Sequence, residues 1–393
     1  MIGEVALAIV LVVAAGLLTV SYLHLSRTDL GFRPANAVSF GLAPRTDAYS
    51  SMDARRRLYR RVLERVRAVP GVQAAGGVHL MPFQLGLVGS DGGLILEGDP
   101  PGGEAMRRRP GVGLQSVTPG YFRAMGIRLI EGRVFSDRDD ADAPGVVLVG
   151  ESVARQLWPG DTALGKRVVV AGAAIETADG PTWQTVVGVV ADTRHRVISS
   201  DRLDVYVPFA QIPMMLGHVV VRTERDPLVL ASALRDAVAT VDPLQRVGPL
   251  TTLDDLVSST QRPWRFNMAL AVLLGAVGTV LASVALFGTV AHGVTERTRE
   301  IGVRRALGAT SANVVGVVSR DAMGAAIVGA GIGAVGAWLV SRLLRPLLFG
   351  VTPNDPWTLG GLAVSVLLVC AVAALFAAWR AVRIEPSLAL RSE

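Results

Sequence analysis

The residues that most invite a chemical reading lie in GDTALGKR, Gly160 to Arg167. Their spacing reproduces G-x-x-x-x-G-K, the loop that cradles nucleotide phosphates. Arg167, however, stands where that loop carries the serine or threonine hydroxyl that holds magnesium. A turn leading into a strand KRVVV is the better reading. The five histidines, His24, His79, His195, His218 and His292, show no pairing with carboxylates or with the single cysteine at metal-ligand spacing, so each reads as a packed or surface residue. The acidic run SDRDDAD, Ser136 to Asp142, lacks the glycine and distal glutamate of a calcium loop and reads as a solvated turn. There is no G-x-S-x-G nucleophile elbow. These patterns lead us to expect no catalytic residues, no metal, no cofactor and no enzyme activity in this chain.

A different kind of chemistry is on offer in ERTREIGVRRALGAT, Glu296 to Thr310, where four arginines and two glutamates sit between two very apolar segments. If residues 301–318 are helical, Val303, Leu307, Val314 and Val318 share one face while Arg304 and Arg305 point elsewhere. Gly308 would break the helix, and Thr310 or Ser311 would cap a second one. Two readings of this gap stand side by side: a basic loop that touches anionic lipid, and a short docking helix that a partner can push.

The elements that must hold this gap are membrane helices. Half of the residues are hydrophobic and 18% are charged, against about 25% charged in soluble proteins. Four windows, Val5 to Leu23, Met268 to Ala291, Ala322 to Val340 and Trp357 to Trp379, contain no Asp, Glu, Lys or Arg. Each reaches the roughly 20 residues needed to cross hydrocarbon. The first window lacks a basic start, so a retained helix is expected rather than a cleaved signal peptide. Arg297, Arg299, Arg304, Arg305 and Arg320 place the gap on the cytoplasmic side, as Arg380, Arg383 and Arg391 do for the tail. The loop from Pro346 to Pro356 is then outside, with Arg342 and Arg345 snorkelling outward, and so is the long stretch after the first helix. Arg27 and Arg33 run against this assignment, which a large translocated domain tolerates.

The net charge of +6 is not gathered into the basic and aromatic clusters of a nucleic-acid surface, and Lys166 is the only lysine. Cys370, the only cysteine, falls in the fourth window, so the outer domain must be stabilised by packing. In that domain Leu58, Val62, Leu63 and Val66 recur at helical spacing in MDARRRLYRRVLERVRAVPG. LILEG, GVVLV, KRVVV, TVVGVV, DVYVPF and HVVVRT read as strands. Asp226-Pro227 reads as a cap with proline at the first helical position. The fold class expected is an α-helical membrane protein with four transmembrane helices and a large extracytoplasmic α+β domain between helices 1 and 2. The boundaries are 1–25 for the first helix, 26–262 for the outer domain with an inserted subdomain at about 116–210, and 263–393 for the rest. Within the last region the helices fall at about 268–292, 320–342 and 357–379.

ERTREIGVRRALGAT resembles the signature after the second membrane helix of ABC transporter permeases of the FtsX/MacB type. SVTPGYFRAMGIRLIEGRVFSDRD, GVVLVGESVARQLWPGDTALGKRV and TVVGVVADTRHRVISSDRLDVYVPFAQ are similar to the outer core domain of MacB-like permeases, and RAVRIEPSLALRSE to that family's C-terminus. The resemblance implies a multi-pass subunit of the inner membrane, its large domain extracytoplasmic, that passes the work of an ATPase across the bilayer for export, extraction or efflux. It makes Glu296, Arg297, Glu300, Ile301, Arg304, Arg305, Ala306, Leu307 and Gly308 the coupling residues. The implied partners are an ABC ATPase subunit in trans, a second copy or a paired permease half, the lipid bilayer, and a periplasmic adaptor or substrate protein. MacB itself carries an N-terminal ATPase domain, which is not found in this sequence, and the chain most resembles the second half of the longer duplicated permeases. An FtsX-like scaffold that regulates a cell-wall hydrolase is the alternative function. Helix contacts through Gly329-x-x-x-Gly333 and Ala271-x-x-x-Gly275 are expected.

Overall fold

The computed structural model describes residues 2–45, 48–83, 91–100, 104–171, 176–177, 180–195, 203–214, 216–296, 311–345, 348, 361, 364 and 368. They fall into two compact units, one made of Met1–Thr28 and Arg262–Glu393, the other of Asp29–Gln261.

The Asp29–Gln261 unit is built on a mixed sheet. Its strands run in the order Thr251–Thr252, Ala37–Gly41, His218–Thr223, Val72–Val78, Val112–Val117, Leu203–Pro208, Val146–Gly150, Gln184–Val190, Arg167–Val170, Leu94–Leu96. Two pairs are parallel, Val112–Val117 with Leu203–Pro208 and Val146–Gly150 with Gln184–Val190, and the remaining neighbours are antiparallel. Two apolar cores line this sheet. In one, the helix Met52–Arg67 buries Leu58, Tyr59, Val62, Leu63 and Val66 against Val38, Phe40, Val219 and Val221 and against Leu234 of the helix Ala231–Ala239. At about 1.5–3 kcal/mol per fully buried aliphatic or aromatic side chain, this face is what keeps an otherwise arginine-rich helix in place. The Ser51 side chain accepts from the Ala54 amide at 3.2 Å to start the helix. Gly71, at φ 91°, turns the chain after its end. The second core is valine-rich, with Val112, Val147, Val149, Val168, Val170, Val186, Val205 and Val207 packed around Val153 of the short helix Glu151–Leu157. Such β-branched residues suit a pleated buried surface.

All six expected strands are present. Asp226 caps as expected, accepting from the Leu228 amide at 2.9 Å, although the first turn, Pro227–Leu230, is a 3₁₀ helix and the α-helix begins at Ala231. Three strands, Ala37–Gly41, Val72–Val78 and Val112–Val117, carry no clear signal in the sequence. In Val72–Val78 the reason is physical: a Cβ on Gly76 would lie 2.3 Å from the Tyr121 amide nitrogen. Small residues are required there, and they erase the usual strand pattern.

The other unit contains three described helices long and apolar enough to cross a membrane. The first, Ile2–Arg27, contains the charge-free window Val5 to Leu23 and runs two residues past the expected end at 25. The second is one helix from Leu253 to Glu296, far longer than the expected 268–292. Its start is capped by Thr252, whose hydroxyl accepts from the Asp255 amide at 3.0 Å and donates to the Asp255 carboxylate at 2.7 Å. The third runs from Ser311 to Leu343, starting nine residues before the expected 320. The expected fourth helix lies outside the described residues, apart from the helical Gly361, Val364 and Leu368.

Candidate coupling site and its supporting helices

The candidate site is the gap between the second and third helices. Of its expected residues, Glu296 is described: it ends the helix Leu253–Glu296, and its carboxylate stands 3.2 Å from His292 Nε2 one turn earlier. Arg297, Glu300, Ile301, Arg304, Arg305, Ala306, Leu307 and Gly308 lie outside the described residues. What the structure supplies is the pair of helices that flank them. At 1.5 Å per residue, the 44 residues of Leu253–Glu296 and the 33 of Ser311–Leu343 make rods of about 66 and 50 Å.

Glycines set how these rods pack. A Cβ on Gly329 would stand 2.8 Å from the Ile2 carbonyl oxygen, one on Gly333 2.9 Å from that of Ala6, and one on Gly336 2.9 Å from Val10 Cγ2. The third helix therefore runs parallel to the first in close backbone contact. Gly275 meets Leu11 and Val12, and Gly278 meets Ala8 and Leu11, so the long helix runs antiparallel to the first. The expected contacts at Gly329 and Gly333 are present, and on the long helix Gly275 and Gly278 both meet the first helix. This register puts Thr28 and Arg262 at one end of the unit and Glu296 and Ser311 at the other. Leu270, Leu273, Leu274, Val277, Val280, Leu281 and Val284 face outward, as lipid-facing residues do.

Pro263 lies inside the long helix. It has no amide hydrogen to give the Ser259 carbonyl, and its ring crowds that turn. The hydroxyls of Ser259 and Thr260 donate back to the carbonyls of Leu256 and Val257, each at 2.7 Å, in the turn just before it. The weakest part of the helix therefore lies next to the junction of the two units at Gln261 and Arg262.

Each chemistry-bearing pattern in the sheet unit has a structural role. Lys166 of the P-loop-like segment pairs with Asp161 at 2.7 Å, and Gly160 and Gly165 take positive φ, so the segment is a turn entering the strand Arg167–Val170. The acidic run is less solvated than expected. Asp139 is buried and takes two hydrogen bonds from Arg133, at 2.8 and 2.7 Å, and one from the Ser136 amide. Burial pushes its pKa up, but the Arg133 and Ser136 hydrogen bonds outweigh that and hold it below the ordinary carboxylate value.

Two of the histidines pair with carboxylates in the structure, one packed and one on the surface. His195 Nε2 lies 2.6 Å from the buried Asp204, which also accepts from Thr193 Oγ1 at 2.8 Å, and His292 pairs with Glu296. The His292–Glu296 pair was legible as an i, i+4 spacing. His195 and Asp204 are brought together by tertiary structure, since Asp204 is in the strand Leu203–Pro208 and His195 follows the strand Gln184–Val190. Burial lowers the pKa of His218. Among the described residues there is no group of three or more His, Cys, Asp or Glu suited to a metal.

The family model of the MacB-like periplasmic core domain matches residues 1–246, and that of the FtsX-like permease C-terminal region matches residues 272–386. A probable export ATP-binding/permease protein MacB from Pseudomonas entomophila is 26% identical over 235 residues, covering 56% of this chain and 33% of the relative. An uncharacterized ABC transporter permease, YknZ of Bacillus subtilis, is 24% identical over 298 residues, covering 71% of this chain and 70% of the relative. The match thus spans about a third of the MacB-type relative. Among solved structures, the periplasmic region of MacB from Actinobacillus actinomycetemcomitans aligns with a TM-score of 0.39 and 16% identity, covering 60% of this chain and 97% of that one.

Proposed function

The chain belongs to the family of ABC transporter permeases that carry a MacB-like periplasmic core domain and an FtsX-like permease region, and from that premise we propose that it is a noncatalytic subunit that transmits the work of a partner ATPase. ATP is hydrolysed in the partner. Glu296, Arg297, Glu300, Ile301, Arg304, Arg305, Ala306, Leu307 and Gly308 form the surface that meets it. Trp357 to Trp379 completes a set of four spans, and two such four-span units act as a pair in the inner membrane. The domain that moves is extracytoplasmic, and its movement serves export, extraction or efflux.

The observation that supports this reading is the long helix. Its first residues, from Leu253, belong to the sheet unit and its last, Glu296, borders the gap. A push on the gap by closing ATPase subunits travels along such a helix as a rigid displacement, without a substrate channel through the bilayer. Pro263 gives that displacement one place to bend.

Crosslinking from the gap tests the reading. Cys370→Ala removes the native thiol, Ala306→Cys places one in the gap, and whatever is captured in native membranes is identified. The reading expects an ATPase subunit, lost when Arg304→Glu and Arg305→Glu are added. Labelling of the new cysteine only from outside the cell overturns the topology, and labelling from inside without ATPase capture overturns the docking role. If a complex that captures the ATPase accumulates no substrate while its outer domain pulls down a cell-wall hydrolase, the scaffold function replaces transport.

A further inference from the structure

The register of the membrane helices puts three arginines that the proposed coupling does not use at a similar depth. Val10 packs on Gly336, so Arg342 and Arg345 stand level with Gly16 and Thr19 of the parallel first helix. Val12 packs on Gly275 of the antiparallel long helix, so Arg265 stands level with Tyr22. The three guanidinium-bearing residues come from two helices yet fall within about 9 Å of one another in depth. All three are exposed. They lie at the end of the bundle where the chain leaves for and returns from the Asp29–Gln261 unit. Met268–Ala291 on the long helix and Ala322–Val340 on the third carry no charge, so the belt begins where the apolar span ends.

Two further observations define the belt. Trp264 precedes Arg265, and Trp338 lies under Arg342, whose guanidinium carbon is 4.1 Å from the ring centroid. Aromatic rings that hold one face in lipid and support a cation on the other mark the depth of the headgroups. The described acidic residues of this unit are Glu4, Glu296 and Asp321, and the helix register puts all three toward the opposite end. The belt therefore has no counter-charge among the described residues of its own unit.

We propose that Arg265, Arg342 and Arg345 bind the phosphate of anionic phospholipid headgroups in the outer leaflet. A guanidinium presents paired N–H donors that fit two phosphate oxygens, and an anionic headgroup leaves that charge uncompensated. The acyl chains of the same lipid lie against the apolar helix faces below. The proposal is independent of the ATPase reading, since it uses neither the gap nor a partner.

The test titrates the detergent-purified full chain with phosphatidylglycerol or phosphatidylcholine and counts bound lipids by native mass spectrometry. The unaltered chain is expected to retain phosphatidylglycerol at several-fold lower concentration than phosphatidylcholine. The triple variant Arg265→Gln, Arg342→Gln, Arg345→Gln should lose most of that preference, and the corresponding lysine triple should keep part of it. Equal retention of the two lipids by the unaltered chain overturns the proposal. So does loss of the preference in Arg304→Gln, Arg305→Gln instead of the outer triple, or displacement of the lipid by inorganic phosphate, which would mean that the site takes the free anion. Should the glutamine triple fail to fold, tryptophan quenching in the unaltered chain decides. Dibrominated phosphatidylglycerol, as a minor component of phosphatidylcholine vesicles, should quench more than dibrominated phosphatidylcholine at the same fraction, and equal quenching overturns the proposal.

Discussion

Asp139 shows how one carboxylate in a run of similar ones becomes structural. It is 5% exposed, while its partner Arg133 is half exposed, so the pair is only partly shielded from water. Asp139→Asn keeps the shape but turns an acceptor into a donor facing Arg133. Allowing for screening at the exposed arginine, the expected loss is about 1–2 kcal/mol in urea unfolding of the outer unit. The dependence on pH has a definite sign. Because the folded-state pKa lies below the ordinary value of 3.8, the contribution is complete above that value and is lost as pH falls through the folded one. The gap between wild type and Asp139→Asn should hold constant near neutrality and close below about pH 4. Lys166 gives a contrasting expectation. With its ammonium held by Asp161 in an exposed turn, Lys166→Met should leave the ATP turnover of the proposed complex with an ATPase unchanged, whereas a phosphate-binding lysine would abolish it. The sequence made this turn legible through one missing hydroxyl. His195 and Asp204 were illegible, because nothing in their local spacing reports a pairing made through separate segments of the sheet.

Among the elements, the three described apolar helices were the most legible, since length and lack of charge alone mark a span. Their ends were less so. The capping pattern Thr252-Leu-Asp-Asp255 starts the long helix in a polar stretch that hydropathy passes over. In the sheet, the valine-rich strands declared themselves, whereas Val72–Val78 was hidden by small residues, among them Gly76, which lets Tyr121 approach. Glycines also decide the strongest prediction at this scale. Gly333→Val pushes a branched side chain into the Ala6 backbone, while Gly331→Val, two residues away in the same helix, meets nothing within 4 Å. Both carry the same change in helix propensity, so their difference isolates packing. Gly333→Val should cost about 1–3 kcal/mol more, read as a lower melting temperature in detergent.

At the scale of the whole molecule, the long helix makes a prediction about phase. If displacement of the gap reaches the outer domain through a rigid rod, the rod must keep its rotational register as well as its length. One alanine inserted after Thr260, in a stretch already weakened by Pro263, shifts everything beyond it by about 1.5 Å and turns it by about 100°. A shift so small leaves both cores intact, so the protein should still fold and capture the proposed partner ATPase, but the rotation misdirects the push. Transport should fall at least tenfold while ATP hydrolysis in the complex continues. Inserting a further three residues restores the phase to within about 40° over a length increase of about 6 Å, and should recover part of the lost transport. Pro263→Ala acts on the same joint by restoring the hydrogen bond to Ser259 and stiffening it. If the bend is part of the stroke, that substitution raises thermal stability and lowers transport together. If both insertions leave transport intact, the helix is a tether, and force must reach the outer domain through the first helix, which enters it at Thr28 and Asp29.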